Sequence, residues 1–167
     1  NTTVLLDGQG ADEQLGGYIH YYRHHLTRML TKNPQRFFAE RVNYQAVNKE
    51  YYPYSIPTKL PLWYIKKIFL RSKYTYDADA RSLLIKDTTV TGLKALLRYG
   101  DRNSMAFSRE VRLPFLSHEL SEFIFSLPIE YMLNSGWTKY ILRKAFEDIV
   151  PPEITWRRLK IGFEPPQ

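Results

Sequence analysis

The segment from Asp7 to Glu13, DGQGADE, places glycines and carboxylates where a short apolar run gives way to a helical pattern. Gly8 and Gly10 let the backbone come close to a ligand, and unpaired N–H groups at a helix start suit phosphate. Carboxylates beside phosphate suit Mg²⁺, because that ion takes few protein carboxylates and completes its shell with phosphate oxygens. The alternative is an ordinary helix start with an acidic first turn, and spacing alone favours that alternative.

A second segment, residues 101–116, carries alternating charges inside an otherwise apolar stretch. Charges enclosed by apolar residues are costly unless they are paired. The pattern therefore predicts a structural ion network rather than catalysts. Its members are Asp101, Arg102, Glu110 and Arg112.

A third group is basic. Lys139 and Arg143 lie four residues apart, a spacing that puts both on one helical face. Arg157, Arg158 and Lys160 follow closely. Arginine forks and a lysine point charge can together hold a polyphosphate. The alternative is a solvated basic face, which is what charge runs usually are.

Several chemistries are excluded by what the 167 residues lack. The third glycine of a dinucleotide-binding fingerprint would fall at Glu13, and no Walker-type Gly-Lys-Ser/Thr is present. The absence of cysteine excludes disulfides and a thiol nucleophile in this stretch and is compatible with the reducing cytoplasm, where we expect the protein. No apolar run approaches the roughly 20 residues that span a bilayer.

The net charge of +7 leaves two interpretations open. One is a site for polyanions, either nucleotide phosphates or nucleic acid. With 15% aromatic residues, a basic helical module that binds nucleic acid is an alternative function. In a helical chain the aromatic residues are more often core.

The elements that must position these residues are mostly helices. The run from Thr2 to Leu6 predicts a buried strand, and the apolar rhythm from Asp12 to Leu30 predicts one helix. Short apolar runs and prolines predict a connector at residues 51–61 and a short helix from Pro61. Further helices are predicted at 34–49, 77–86, from Thr91, at 118–126 and from residue 139 to about 149.

A single strand cannot form a sheet, so its partners are expected before residue 1. The chain also begins without methionine. We therefore interpret residues 1–167 as one piece of a larger domain, a mainly α fragment of an α/β fold.

These segments together resemble the C-terminal synthetase domain of glutamine-hydrolysing asparagine synthetases. The family pattern Ser-Gly-Glu-Gly-Ala-Asp-Glu with Gly-Gly-Tyr corresponds to residues 7–13 and 16–18. Its Leu-Arg-x-x-Asp-Arg-x-Ser-Met-Ala and Glu-x-Arg-x-Pro-Phe-Leu patterns correspond to residues 97–116. Lys-x-x-Leu-Arg falls at 139–143 and Lys-x-Gly-Phe-x-x-Pro at 160–166, in the family's order.

The resemblance implies the helical C-terminal part of an ATP pyrophosphatase domain of the adenine-nucleotide α-hydrolase type. It implies that ATP activates the aspartate side chain as β-aspartyl-AMP, releasing pyrophosphate, and that ammonia then displaces AMP. Ammonia comes from glutamine in an N-terminal glutaminase domain that these residues lack, as they lack the family's Ser-Gly-Gly-x-Asp-Ser pyrophosphate loop. Alone, the chain is expected to be inactive. A homodimer is compatible with the resemblance, whereas membrane and nucleic-acid partners are not expected.

Residue roles also follow from the resemblance. Asp12 corresponds to a carboxylate that holds Mg²⁺ on the ATP phosphates. Lys139 corresponds to a lysine that stabilises the leaving pyrophosphate, where negative charge builds up during adenylation. Asp7, Gly8 and Gly10 correspond to the loop near the adenylate. The supporting network would comprise Asp101, Arg102, Glu110, Arg112, Arg143 and Lys160.

Two departures bear on the chemistry. Asp7 replaces the family's usual serine, and Gln9 replaces a glutamate thought to serve proton handling or substrate positioning. A glutamine donates and accepts hydrogen bonds but cannot act as a base. Gln9 thus stands at a catalytic position. Either the reaction tolerates the amide, or the acceptor is another carboxylate such as a sugar acid, or the chain is a non-catalytic homologue.

Overall fold

The structure, a computed structural model, describes residues 2–48 and 79–158. The predicted connector at 51–61, the predicted short helix from Pro61 and the candidate residue Lys160 lie outside the described residues. Within the described ranges the chain is mainly helical, as the sequence predicts. No helix there is long and apolar enough to cross a bilayer.

Eight α-helices, two strands and two short 3₁₀ helices make up the described part of the chain. The strands are β1 (Val4–Leu6) and β2 (Glu110–Arg112), and the 3₁₀ helices are Pro114–Leu116 and Ile129–Tyr131. The α-helices are α1 (Ala11–Leu15), α2 (Ile19–Lys32), α3 (Pro34–Asn48), α4 (Ala80–Thr89), α5 (Gly92–Ala106), α6 (His118–Ser126), α7 (Tyr140–Ala145) and α8 (Pro152–Thr155).

The strand predicted at the N-terminus has a partner inside the chain. β1 pairs in parallel with β2, with Val4 opposite Glu110 and Leu6 opposite Arg112. The Asp7 amide continues the ladder by donating to the Arg112 carbonyl at 3.0 Å. The expectation that every partner precedes residue 1 was therefore wrong. The sequence does not predict β2 because this strand has three residues with charges at both ends, which is not an apolar strand pattern.

The long helix predicted from Asp12 is two helices. Gly16 adopts a left-handed backbone, with φ of 70°, and ends α1. The Gly17 amide then donates to the Asp12 carbonyl at 2.8 Å, and α2 begins at Ile19. The break therefore leaves two separate helices, with Asp12 and Glu13 in the first turn of the shorter one.

The buried core joins α1 and α2 to α3, α4, α6 and the segment after the second 3₁₀ helix. Four apolar residues of the rhythm between Asp12 and Leu30 are buried, namely Leu15, Tyr22, Leu26 and Met29. In α6, the apolar residue Phe123 is 56% exposed. The last predicted helix also ends early, at Ala145 rather than near residue 149.

Candidate active site

Asp12 and Lys139 are in contact although 127 positions separate them in the sequence. The Lys139 ammonium lies 2.8 Å from Asp12 Oδ1. The two side chains keep 26% and 24% of their exposure, so the pair remains open to solvent and to a ligand. The two residues assigned by resemblance to the metal and to pyrophosphate are thus neighbours.

Gly17 leaves the space that this pair occupies. A Cβ built on Gly17 would overlap both Asp12 Oδ1 and Lys139 Cε. The Lys139 amide also donates to the Leu15 carbonyl at 3.2 Å, which ties the lysine's backbone to the end of α1. The Gly16-Gly17 break therefore both ends α1 and admits the lysine beside Asp12.

Lys139 itself has an unusual backbone. Its φ and ψ are 52° and 35°, the left-handed region that a non-glycine residue rarely adopts. It precedes α7 as the N-cap residue instead of lying on a helical face with Arg143. The sequence-based placement of both cations on one helical face was therefore wrong.

Arg143 turns towards backbone carbonyls. Its Nε donates to Thr138 at 2.8 Å, and one Nη donates to Thr155 at 2.5 Å. The guanidinium also lies 4.8 Å from the centre of the Trp137 ring. Burial lowers the pKa of Arg143 from its usual range, yet guanidinium remains charged at any physiological pH. Arg143 thus braces the backbone next to Lys139, while Arg157 and Arg158 are exposed.

The segment before Lys139 is held by α2 and α3. Gly136 has φ of 82°, and its amide donates to Tyr22 Oη at 2.8 Å and to Glu40 Oε1 at 2.9 Å. Asn48 Nδ2 donates to the Gly136 carbonyl at 2.7 Å, and the Tyr22 hydroxyl donates to Glu40. Burial, and then the Glu40 charge, raise the pKa of Tyr22, so its hydroxyl stays protonated. We call these contacts of Tyr22, Glu40 and Asn48 with Gly136 the Gly136 anchor; nothing in the sequence pattern indicated it.

The glycine loop has one constrained and one open glycine. Gly10 has φ of 93°, and a Cβ there would overlap the Leu116 side chain. A Cβ on Gly8 would meet no described atom within 4 Å, so the described residues leave that position open. Asp7 is exposed and Gln9 is half-buried at the same strand end. Their assignment to nucleotide and acceptor stays a prediction.

Glu13, beside Asp12 in the sequence, does not face the pair. It is 3% exposed and accepts a hydrogen bond from the Tyr18 hydroxyl at 2.8 Å. Burial, and then the bond to Glu13, raise the pKa of Tyr18, which keeps that hydroxyl a donor. Of the two acidic residues in the first turn, only Asp12 therefore lies at the site.

Of the four residues in the predicted ion network, Glu110 and Arg112 form an ion pair within the described residues. Glu110 and Arg112 pair at 2.7 Å, but their side chains are 57% and 64% exposed, so the pair contributes little to stability. Asp101 and Arg102 are exposed, and neither has an ion pair with any residue in the described ranges. β2 and the end of α5 lie at the surface of the described residues, and the structural role of these four residues stays a prediction.

His25 lies in the core near the Gly136 anchor. It is 4% exposed, and its Nε2 has no hydrogen-bond partner among the described residues. Burial lowers the pKa of His25, and this outweighs the opposing effects of the Glu130 and Glu40 charges. The folded state therefore keeps this imidazole neutral at a pH where the unfolded chain binds a proton.

This shift predicts a pH dependence of stability. Because the folded pKa lies below the unfolded value of about 6.5, the stability from a neutral His25 is full above that pH and is lost as pH falls. The loss approaches about 1.4 kcal/mol per pH unit. Thermal midpoints of the full-length protein at neutral and mildly acidic pH, compared with those of His25→Phe, measure it. The variant should lose less stability on acidification, and an equal loss would contradict the prediction.

A strand, a glycine loop and a helix thus bring one carboxylate into contact with a lysine. The family model described as asparagine synthase matches residues 1–167, and the chain belongs to the asparagine synthase family. This confirms the family resemblance drawn from the motifs.

Individual relatives agree with the family model. The chain is 31% identical over 169 residues to asparagine synthetase [glutamine-hydrolyzing] 3 of Bacillus subtilis, covering 93% of this chain and 25% of that protein. It is 43% identical over 160 residues to the human asparagine synthetase [glutamine-hydrolyzing], covering 94% of this chain and 19% of the human protein. The chain thus spans about a fifth to a quarter of these relatives. No solved structure matches it.

Proposed function

We propose that this chain is part of an ATP-dependent amide-forming ligase. The ligase would join a carboxylate to AMP, release pyrophosphate, and pass the acyl group to ammonia derived from glutamine. Aspartate, giving asparagine, is the first acceptor to consider. The observation that carries the proposal is the 2.8 Å pair of Asp12 and Lys139 in a member of the asparagine synthase family. That membership does not favour the nucleic-acid-binding alternative.

Asp12 fits a carboxylate that shares Mg²⁺ with ATP. Among residues 2–48 and 79–158, no group of three or more His, Cys, Asp or Glu side chains is placed to hold a metal. A single carboxylate that keeps 24% of its side-chain exposure nevertheless suits Mg²⁺, which keeps most of its shell for phosphate oxygens and water. When bound, the ion would neutralise phosphate charge. The donor set of the described residues therefore fits a metal that arrives with its nucleotide.

Lys139 supplies positive charge that is already in place. Before ATP binds, its ammonium is neutralised by Asp12. Asp12 would hold the metal ion, and the Lys139 ammonium would then be available to the phosphate oxygens. Adenylation concentrates negative charge on the oxygen between the α and β phosphorus atoms, and a fixed cation lowers that barrier more than it tightens ground-state binding. Because Gly17 has no side chain, the Lys139 side chain has room to lie beside Asp12.

Exposed apolar residues support the interpretation that more of the domain surrounds this chain. Leu6 is 74% exposed at the end of β1, and Phe107 is 77% exposed at the end of α5. Two strands of three residues also make a marginal sheet by themselves. The rest of the parallel sheet, the pyrophosphate loop and the glutaminase domain are parts of the proposal that lie outside these residues.

Pyrophosphate release by the full-length protein tests the proposal. ATP and Mg²⁺ are supplied with ammonia and one carboxylate at a time, beginning with aspartate and continuing through sugar acids. Carboxylate-dependent formation of AMP and pyrophosphate in equal amounts is the expected result. Release of ADP and phosphate instead, or no product with any carboxylate, would defeat the proposal.

A second experiment concerns Gln9. Attack of an ionised carboxylate on ATP needs no base, whereas ammonia loses a proton as it attacks the acyl-adenylate. A glutamate introduced by Gln9→Glu is therefore expected to speed aspartate amidation by about tenfold or more and to leave adenylation within about twofold. Rapid-quench measurement of AMP-ester formation and of amide formation separates the two steps. Equal changes in both steps would contradict this assignment.

A further inference from the structure

Glu40 is a buried carboxylate that the proposed adenylation chemistry does not use. It lies in the interior of α3, 7% exposed, and accepts hydrogen bonds from the Tyr22 hydroxyl and from the Gly136 amide at 2.9 Å. A buried charge is costly, and an apolar residue of similar size often gives equal or greater stability. Its presence therefore calls for a role other than filling the core.

We propose that Glu40 is a positioning residue for Lys139. With Tyr22 and Asn48 it fixes the backbone at Gly136, and that segment in turn delivers the lysine to Asp12. The inference rests on the function proposed for Lys139. It assigns to the Gly136 anchor the task of holding a cation in place before ATP arrives.

The connection from Gly136 to Lys139 is short and stiff. Asn134 and Trp137 exchange two backbone hydrogen bonds, at 3.1 and 2.8 Å, around the turn that contains Gly136. Two non-glycine residues of the segment, Ser135 and Lys139, have positive φ values of 50° and 52°. Such conformations persist only where the surroundings over-determine them.

The opposite side of the segment is braced as well. The Lys139 amide reaches the Leu15 carbonyl at 3.2 Å, and Arg143 holds the Thr138 carbonyl at 2.8 Å. Glu40 is the carboxylate of the Gly136 anchor, and it accepts one hydrogen bond from the Tyr22 hydroxyl and one from the Gly136 amide. Removing the Glu40 carboxylate leaves the Gly136 amide with the Tyr22 hydroxyl as its acceptor. The left-handed backbone of Ser135 and Lys139 can then relax. The lysine would then leave the carboxylate of Asp12.

Chemical labelling of lysine amines tests this without relying on activity. The folded full-length protein is treated briefly with acetic anhydride, and peptides containing Lys139 and Lys144 are compared by mass spectrometry. Loss of the Asp12 pair in Glu40→Ala should raise Lys139 labelling about fivefold, with Lys144 unchanged. Glu40→Gln keeps an acceptor oxygen and should label like the parent protein. Unchanged Lys139 labelling in Glu40→Ala overturns the proposal.

Kinetics provide the second readout. Glu40→Ala should lower kcat for pyrophosphate release about tenfold while KM for ATP stays within about threefold. In a Lys139→Ala background the same change should have no further effect, because Glu40 acts only through the lysine. A full additional loss in that background would mean a general structural defect and would overturn the proposal. The matched control is Glu130→Ala, which removes an acid that pairs with Arg36 at 3.3 Å and is expected to change neither quantity.

Failure of the proposed function and failure of the role proposed for Glu40 give different results. If the full-length protein releases no pyrophosphate with any carboxylate, the proposed function fails, while the labelling comparison still decides the geometry around Lys139. If Glu40→Ala does not fold, Glu40→Met removes the same acceptor oxygens from Gly136 and keeps a side chain of similar volume in the core. Raised Lys139 labelling in that variant supports the proposal, and parent-like labelling overturns it.

Discussion

Lys139→Ala should slow carboxylate-dependent pyrophosphate release by the full-length protein about a hundredfold. The variant removes the ammonium that lies 2.8 Å from Asp12 and that would face the phosphate oxygens. A preorganised charge acts mainly on the transition state, so kcat should fall much more than the affinity for the carboxylate. A fall of less than about tenfold, or roughly 1.4 kcal/mol of barrier, would remove Lys139 from the mechanism.

The chain offers a close control for this experiment. Lys144 lies on α7, five residues further along, and its side chain is 49% exposed and pairs with Glu147. Lys144→Ala removes one positive charge from the same helix without touching Asp12, and release should stay within about twofold. If both variants were equally slow, the loss would reflect the overall basic charge of this surface instead of one positioned cation.

Asp12 and Lys139 were identified from the sequence only through the family resemblance. Spacing alone favoured an ordinary capped helix for the first and a solvated basic face for the second. What spacing cannot supply is the contact between residues 127 positions apart, which depends on where α1 ends and how the later segment turns. The glycines at 16 and 17 were visible as a motif, but their purpose follows only from the atoms that would overlap a side chain there.

The Gly136 anchor shows why other parts of the site were not predictable. Glu40 looks in the sequence like one more acid on a helix that begins at Pro34, and helix periodicity gives no reason to bury it. The sequence groups Arg143 with Lys139 as a phosphate-binding cation, whereas its side chain donates to three backbone carbonyls. Polar side chains that bind backbone leave no local sequence signature, because their partners are set by tertiary packing.

The sequence predicts the existence of the helices better than it predicts the short second strand and the end of the last helix. Helix boundaries at 118–126 coincided with the structure because Ser117 caps the helix and Leu127 precedes a proline. The second strand was missed because three residues are too few for a period to appear. The last helix was overextended because an apolar rhythm continues to Ile149, although that residue is 74% exposed.

Gly136→Ala should destabilise the protein by about 3 kcal/mol or more. A left-handed backbone costs a residue with a Cβ about 1–2 kcal/mol, and the glycine has φ of 82°. The new methyl group would also lie 2.5 Å from the Asn43 carbonyl oxygen and 2.9 Å from Tyr44 Cα, both backbone atoms of a helix that cannot move aside cheaply. Displacing the turn would leave the buried Glu40 and Asn48 groups without their partner, at a further cost of about 1–3 kcal/mol.

Gly100→Ala provides the matched comparison for that substitution. Gly100 lies inside α5, and a Cβ there meets no described atom within 4 Å apart from the backbone of its own helix. Alanine favours a helix interior by about 1 kcal/mol over glycine, so this variant should be as stable as the parent or slightly more stable. Thermal midpoints of both full-length variants, with hydrogen exchange of the peptide that spans residues 129–146, separate the two effects. Gly136→Ala should lower the midpoint and speed exchange in that peptide. Parent-like exchange there would mean that the left-handed turn at Gly136 does not hold the lysine segment in place.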